Sequence, residues 1–174
     1  MENTLPFVTI TVMDTLHIRP MRPNDVPILA QWMVTVPLWQ RYGLQVSRAQ
    51  AQLKAALKHG DMLFTADLGT HTACGFAWGM AKGAFGRSAY LRLIGVKPDY
   101  AGVGVGGKLL EATEQAALSL TGELFLLVSD FNLDGQRFYQ RHGYAQIGAI
   151  PGYVLPDVTE LIYWKRLYTE DTPG

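Results

Sequence analysis

Residues 96–108 read Val96-Lys97-Pro98-Asp99-Tyr100-Ala101-Gly102-Val103-Gly104-Val105-Gly106-Gly107-Lys108. Gly102, Gly104, Gly106 and Gly107 strip this stretch of Cβ atoms, so successive backbone N–H groups can converge on one point. A helix is expected directly afterwards, because Leu109, Leu110, Thr113, Ala116 and Ala117 recur at helical spacing. Converging N–H groups at the positive end of a helix dipole suit a phosphate anion. An ordinary turn needs fewer glycines than this junction holds.

Three phosphate ligands fit to different degrees. Gly102, Gly107 and Lys108 have the spacing of a nucleoside-triphosphate loop, but Leu109 stands where a Ser or Thr hydroxyl must hold magnesium. Gly102, Gly104 and Gly107 match a dinucleotide fingerprint, and Asp130 follows Gly107 by 23 residues. Against it, Pro98 and other non-glycine residues separate the expected strand from the first glycine, where that fold turns at once. Too little chain also follows Gly107 for the usual sheet and a substrate domain.

The third fit covers more of the chain. Gly95-Val96-Lys97-Pro98-Asp99-Tyr100 through Leu110 resembles the pyrophosphate loop of the GNAT superfamily, the acyl-CoA N-acyltransferases. The family pattern is Arg or Gln, two residues, Gly, one residue, then Gly or Ala. It falls on Ala101, Gly104 and Gly106. Ala101 departs from it, losing a side chain but no backbone donor, and Lys108 is at hand as a supplement. Downstream, Asn132, Gly135, Phe138, Tyr139, Gly143 and Tyr144 have the spacing of the family's Asn-x-x-Ala-x-x-Phe-Tyr-x-x-x-Gly-Phe segment. Gly135 replaces Ala and Tyr144 replaces Phe. The motifs stand in the family's order, and the resemblance spans residues 16–167.

The resemblance implies a fold: α/β (α+β), with a mixed, mostly antiparallel central sheet of six to seven strands, helices on both faces and a splayed parallel strand pair. The strand ending at Val96 and the strand over residues 124–129 would form that pair. The pantetheine arm of coenzyme A would lie in the gap, against the backbone of Leu93, Ile94, Gly95 and Val96. The pyrophosphate would rest on the N–H groups of Val103, Gly104, Val105, Gly106, Gly107 and Lys108, with Ala101 and Gly102 at the entry. Asn132 would hydrogen-bond the pantetheine arm, with Phe138 packed beside it.

The implied reaction moves an acetyl group from acetyl-CoA to a primary amine of a small molecule or peptide, by direct attack on the thioester. Tyr139 stands at the family's position for the acid that protonates the departing thiolate, beside the cofactor. The proton on the amine is the harder problem. An alkylammonium of pKa near 10.4 is neutral in about one molecule in 10³ at pH 7, a penalty of ~4–5 kcal/mol. Some family members carry a Glu on the strand before the glycine loop. Here that strand reads Tyr90-Leu91-Arg92-Leu93-Ile94-Gly95-Val96 and holds no carboxylate. Asp130, Glu160 and water chains remain, and the sequence singles out none of them.

The acceptor is expected across the sheet from the cofactor, between loops over residues 37–46 and 150–157. Trp39, Tyr42 and Tyr153 would make its site aromatic, and Arg41 would suit an acceptor carboxylate. Two other functions stay open: a non-catalytic acyl-CoA-binding or sensor module, suggested by Ala101 and the missing base, and a dinucleotide-binding oxidoreductase.

Periodicity and turn residues give the elements that must hold these groups. Residues 16–21 read as a strand. Asn24 reads as the cap of a helix with the stripe Ile28, Leu29, Trp32, Met33 and Val36, stopped by Pro37 and followed by a loop. Ser47 and Gln50 read as a capping box opening a helix that ends at Gly60. Met62–Leu68 and residues 74–80 read as strands around a turn at 69–72, with further strands at 89–96, 124–129, 144–147 and 158–167. Residues 133–142 read as a helix. All belong to a single domain spanning 1–174, with 1–15 as an N-terminal extension or strand and 168–174 as a frayed tail.

Composition sets the outer bounds. The chain has 174 residues, 48% of them apolar, which suffices for one hydrophobic core. Fifteen Lys plus Arg offset fifteen Asp plus Glu, which argues against a nucleic-acid partner and against a very basic acceptor. A single cysteine, Cys74, forms no intramolecular disulfide and no cysteine-rich zinc site, and the four histidines lack metal-ligand spacing. No metal is therefore expected. With no signal peptide and no long apolar run, the protein is expected in the cytoplasm and away from membranes. A homodimer is the frequent assembly in the resembled family.

Overall fold

Alternating apolar residues punctuated by glycine and proline fold into seven strands and five helices across residues 15–168, the part described by the computed structural model. In chain order these are β1 (Leu16–Pro20), α1 (Asp25–Met33), α2 (Pro37–Arg41), α3 (Val46–His59), β2 (Met62–Leu68), β3 (His71–Ala84) and β4 (Ser88–Val96). After a 3-10 turn at Pro98–Tyr100 come α4 (Val105–Leu118), β5 (Glu123–Ser129), α5 (Leu133–Arg141), β6 (Ala145–Pro151) and β7 (Thr159–Arg166). The strands form one sheet in the order β1-β2-β3-β4-β5-β7-β6. Every neighbouring pair is antiparallel except β4 and β5, which α4 connects as a parallel crossover requires.

That parallel pair is short. Ala89 faces Leu124, Tyr90 faces Phe125, Leu91 faces Leu126, and the ladder then stops. β4 continues on β3 as far as Val96 opposite Gly75, and β5 continues on β7 as far as Ser129 opposite Glu160. The two strands therefore separate while each stays held by its outer neighbour. The cause lies in β4, where Leu91 faces Gly79 but Leu93 faces Trp78, leaving Arg92 as an extra residue. A bulge bends and twists its strand, and this one follows directly on the last rung to β5.

Helices cover both faces. On one, Val105, Leu109, Leu110 and Ala117 of α4 pack on Ala77, Leu91, Leu124 and Leu126, and Tyr139 joins Tyr144 and Tyr163. On the other, Leu29, Met33, Trp39 and Leu53 of α1, α2 and α3 pack on Phe76 and Trp78. Leu29, Leu53, Leu109 and Leu110 are fully buried, each worth about 1.5–3 kcal/mol over exposure.

Several local expectations give way to tertiary contacts. The Asn24 side chain makes no capping bond, and its backbone is already helical. Asp25 takes over: the Arg22 N–H donates to its Oδ2 at 2.7 Å, and the Arg19 guanidinium forks onto both its oxygens at 2.7 and 2.9 Å. Arg19 also donates to Asp67 at 2.6 Å. Ser47 lies inside the first turn of α3 and caps nothing, because the helix begins one residue earlier behind Gln45. α1 ends at Met33, and Pro37 starts α2 where a loop was expected, its fixed φ suiting a first helical position. Ile28 of the expected stripe is exposed. The strand expected at 74–80 is longer, His71–Ala84. The expected extension and tail fall almost wholly on residues 1–14 and 169–174, which lie outside the described residues.

Burial pushes the Asp25 carboxyl up, but the Arg19 fork and the Arg22 N–H outweigh it and hold the group below its ordinary range. Such a carboxylate adds stability above its unfolded pKa of about 3.9 and loses it as pH falls through the folded value. Asp25→Asn is expected to lower stability at pH 7 by about 3 kcal/mol, the low end for breaking a buried pair. In urea denaturation the gap to the parent should narrow below about pH 4. A gap independent of pH would contradict this.

Candidate active site

Where β4 and β5 part, a cavity of about 1200 Å³ opens, lined from both faces of the sheet. The glycine loop forms one end. Gly102 and Gly104 have φ of +80° and +89°, and a Cβ at either would meet nothing within 4 Å. Their demand is conformational, and the space above them is open. Gly104 is the N-cap of α4 and no side chain caps that helix, so its first N–H groups face this space without intrahelical acceptors. Gly106 and Gly107 are close-approach glycines: a Cβ would lie 3.5 Å from the Phe138 ring and 3.2 Å from His142 Nε2.

α5 supplies the side chains at this end. Asn132 is its N-cap, and its Oδ1 accepts from Gly135 N–H at 3.0 Å. A Cβ on residue 135 would sit 2.5 Å from Asn132 Nδ2. Glycine in place of the expected alanine therefore lets Asn132 keep this rotamer. Phe138 packs edge-on against Tyr139 at 5.1 Å and beside His142 at 4.4 Å, while His142 Nδ1–H donates to Phe138 O at 2.8 Å. Tyr139 is 8% exposed and lines the cavity, and no described residue hydrogen-bonds its hydroxyl. Burial, then the neighbouring Tyr90, push its pKa well above the phenol range, so it stays protonated at neutral pH.

The opposite end holds a buried carboxylate. Glu160 of β7 is 5% exposed and lies beside its rung partner Ser129 of β5. The Tyr42 hydroxyl donates to Glu160 Oε1 at 2.5 Å and lies 2.6 Å from Ser129 Oγ, which donates to Glu160 Oε2 at 3.4 Å. Burial, then the bond to Glu160, push Tyr42 up to about 12. Among the described residues no cationic side chain pairs with Glu160.

The cavity wall gathers most of the residues singled out from the sequence. Leu93, Ile94, Gly95, Val96, Ala101, Gly102, Gly104, Gly106, Gly107, Asn132, Phe138 and Tyr139 line it, as do Trp39, Tyr42 and Tyr153. Four side chains lie elsewhere. Val103 is exposed, and Val105, the first residue of α4, is buried in the core. Lys108 pairs with Glu111 at 2.7 Å on an exposed side of α4. Arg41 lies 3.9 Å over the Phe131 ring and pairs with Asp157 at 3.2 Å. Trp39 is largely a packing residue, clustered with Trp32 and Phe76 at 6.0 and 5.8 Å. Ser129, Tyr90 and His142 were not assigned from the sequence, and Glu160 stood only as one of several open candidates for the base, because their approach to the cavity depends on strand register and on the α5–loop contact. Cys74 is buried, its thiol pushed up to about 11 by burial.

Residues 28–144 match the acetyltransferase (GNAT) family, and the chain belongs to it. A search of curated proteins finds no match. Among solved structures it is similar to an aminoglycoside 6′-N-acetyltransferase complexed with coenzyme A (11% identity, TM-score 0.74, covering 90% of this chain and 99% of that one). A Salmonella typhimurium protein with its cofactor acetyl-CoA gives 15% identity and a TM-score of 0.72 over 91% and 98% of the two chains. A Bacillus cereus GNAT-family acetyltransferase gives 16% identity and 0.73 over 87% and 97%. The largely antiparallel sheet also differs from the parallel one a dinucleotide fold needs, which removes the oxidoreductase alternative. No helix among the described residues is long and apolar enough to cross a membrane.

Gly95 ties the packing to the gap: a Cβ there would lie 2.3 Å from Trp39 Cη2. Gly95→Ala is expected to destabilise by about 1–3 kcal/mol through overpacking, and Trp39→Leu in the same chain to restore part of the loss. Denaturant midpoints measure both, and a Gly95→Ala protein as stable as the parent would contradict the contact.

Proposed function

We propose that the protein transfers an acetyl group from acetyl-CoA to a primary amine of a small molecule or peptide, by direct attack of the amine on the thioester. The observation that carries this reading is the ladder between β4 and β5 that stops at Leu91 and Leu126, with the glycine loop at its mouth. Similar proteins that carry coenzyme A or acetyl-CoA support it.

The residues present fit such a donor. Open space over Gly102 and Gly104 and the free first N–H groups of α4 suit a diphosphate held by backbone alone, so Ala101 need contribute no side chain. Bound acetyl-CoA supplies an acyl group activated as a thioester. The Leu93, Ile94, Gly95 and Val96 backbone, unpaired toward β5, offers an edge to the pantetheine amides and a donor to polarise the carbonyl. Asn132 uses Oδ1 for its cap and keeps Nδ2 for the same arm. Phe138 walls the channel between α5 and Gly106.

Tyr139 gives its proton to the departing sulfur. A thiol of pKa about 8.5 leaves only mildly uphill at pH 7, so the acid assists rather than enables. Burial keeps this phenol protonated, and its hydroxyl has no other partner among the described residues. Ala101 also suits a module that binds acyl-CoA without turnover, and thiol release separates the two readings.

Thiol release from acetyl-CoA is expected with members of a primary-amine panel. Tyr139→Phe should lower kcat by about 10²–10⁴-fold, with the coenzyme A Kd little changed. Unchanged kcat removes the acid role. A rise in Tm with coenzyme A but no thiol release with any amine favours the binding module, and no rise in Tm overturns the reading altogether.

A further inference from the structure

The wall opposite the glycine loop carries a chemical pattern of its own. Side chains alternate across a sheet, so Phe125, Leu127 and Ser129 of β5 share one face. The register sets Leu127 opposite Ile162 and Ser129 opposite Glu160. This stripe lines the cavity and is apolar except at Ser129 and Glu160, where β4 and β5 have already separated. Toward the outside it meets Phe85, which is 82% exposed and lies edge-on to Phe125 at 5.4 Å, and Tyr153, which is 61% exposed. Large apolar side chains left open on a cavity wall suit an apolar occupant.

Glu160 is the exception in that wall. It is buried with hydroxyl partners only, and a buried carboxylate is costly unless a positive group completes it. Glu160, Tyr90 and Tyr139 all line the cavity, so carboxylate and phenol border a common space. Asp130 is exposed and already accepts the Thr159 N–H at 3.1 Å, and Asp134, which also lines the cavity, is exposed and pairs with Arg137 at 2.6 Å. Arg48 and Arg92 also line the cavity and would repel a second positive charge on the occupant.

Building on the acyl-transfer reading, we infer that Glu160 receives the ammonium of the acceptor and removes its proton. The acceptor is then a singly charged alkylamine whose apolar body lies along Phe125, Ile162 and Tyr153. Glu160 takes one proton from the ammonium, which frees the nitrogen lone pair. The nitrogen bonds to the acyl carbon as the carbon–sulfur bond breaks, its electron pair leaving on sulfur. Tyr139 protonates that sulfur and regains a proton from the second N–H of the former amine. Glu160 returns its proton to solvent, so one proton is released per acetyl group transferred.

The test uses the full-length protein with acetyl-CoA, and 2-phenylethylamine and spermidine as probes. The parent should favour 2-phenylethylamine by at least about tenfold in kcat/KM, the scale of a lost charged contact. Glu160→Gln should lower kcat/KM for 2-phenylethylamine by about 10²–10³-fold. Calorimetric binding of that amine to the coenzyme A-loaded variant should weaken by about tenfold or more, with the coenzyme A-induced rise in Tm retained. Should the variant fold poorly, Tyr42→Phe, which removes the hydroxyl holding Glu160, should show the same losses in smaller measure. A preference for spermidine in the parent, or undiminished turnover of 2-phenylethylamine by Glu160→Gln, overturns the assignment. Failure of every amine to release thiol instead overturns the acyl-transfer reading on which it rests.

Discussion

A parallel ladder of three facing residue pairs, cut short by one extra residue, is the constraint from which the rest of the structure follows. Backbone N–H and C=O groups inside a sheet ordinarily find partners, and leaving them open is tolerated only where water or a ligand replaces the missing strand. Here β3 and β7 hold β4 and β5 from outside, so the gap can persist without unravelling the sheet. Trp39 adds a brace from the helical side, lying on Gly95 where no other residue would let it approach.

The two ends of the cavity are built from different materials. At the glycine loop the polar groups on offer are backbone amides, presented by positive-φ glycines and an uncapped helix start. Such a site constrains conformation more than side-chain identity, which explains how a GNAT protein can carry Ala101. At the far end the groups are side chains: Glu160, Tyr42 and Ser129 in one hydrogen-bonded cluster, beside apolar neighbours. In the proposed function the first end accepts a donor common to the family and the second selects an acceptor particular to this chain.

Much of this was legible in the sequence because it rests on local rules. Gly60 adopts the left-handed φ that its placement at a helix C-terminus favours, and the strand at Met62–Leu68 ends where its alternation ends. The splayed pair and the roles around Asn132, Phe138 and Tyr139 came from the family resemblance. What stayed hidden depends on partners distant in the chain. The register shift at Arg92 is defined only once β3 lies beside β4. Glu160 is one candidate base among several, with nothing to set it apart from Asp130 until pairing brings it to Ser129, 31 residues away. Asn24 and Ser47 satisfied the local capping rule, but Asp25, held by Arg19 and Arg22, and an earlier start to α3 displaced them. Arg41 had the chemistry to bind a carboxylate and found Asp157 and Phe131 instead.

The most direct measurement is a crystal structure of the protein with coenzyme A. The diphosphate should lie within hydrogen-bond distance of N–H groups in the segment 102–108, and the pantetheine amides should run along the open edge of Leu93, Ile94, Gly95 and Val96. Coenzyme A bound outside the gap, or β4 and β5 paired beyond Leu91 and Leu126, would contradict it.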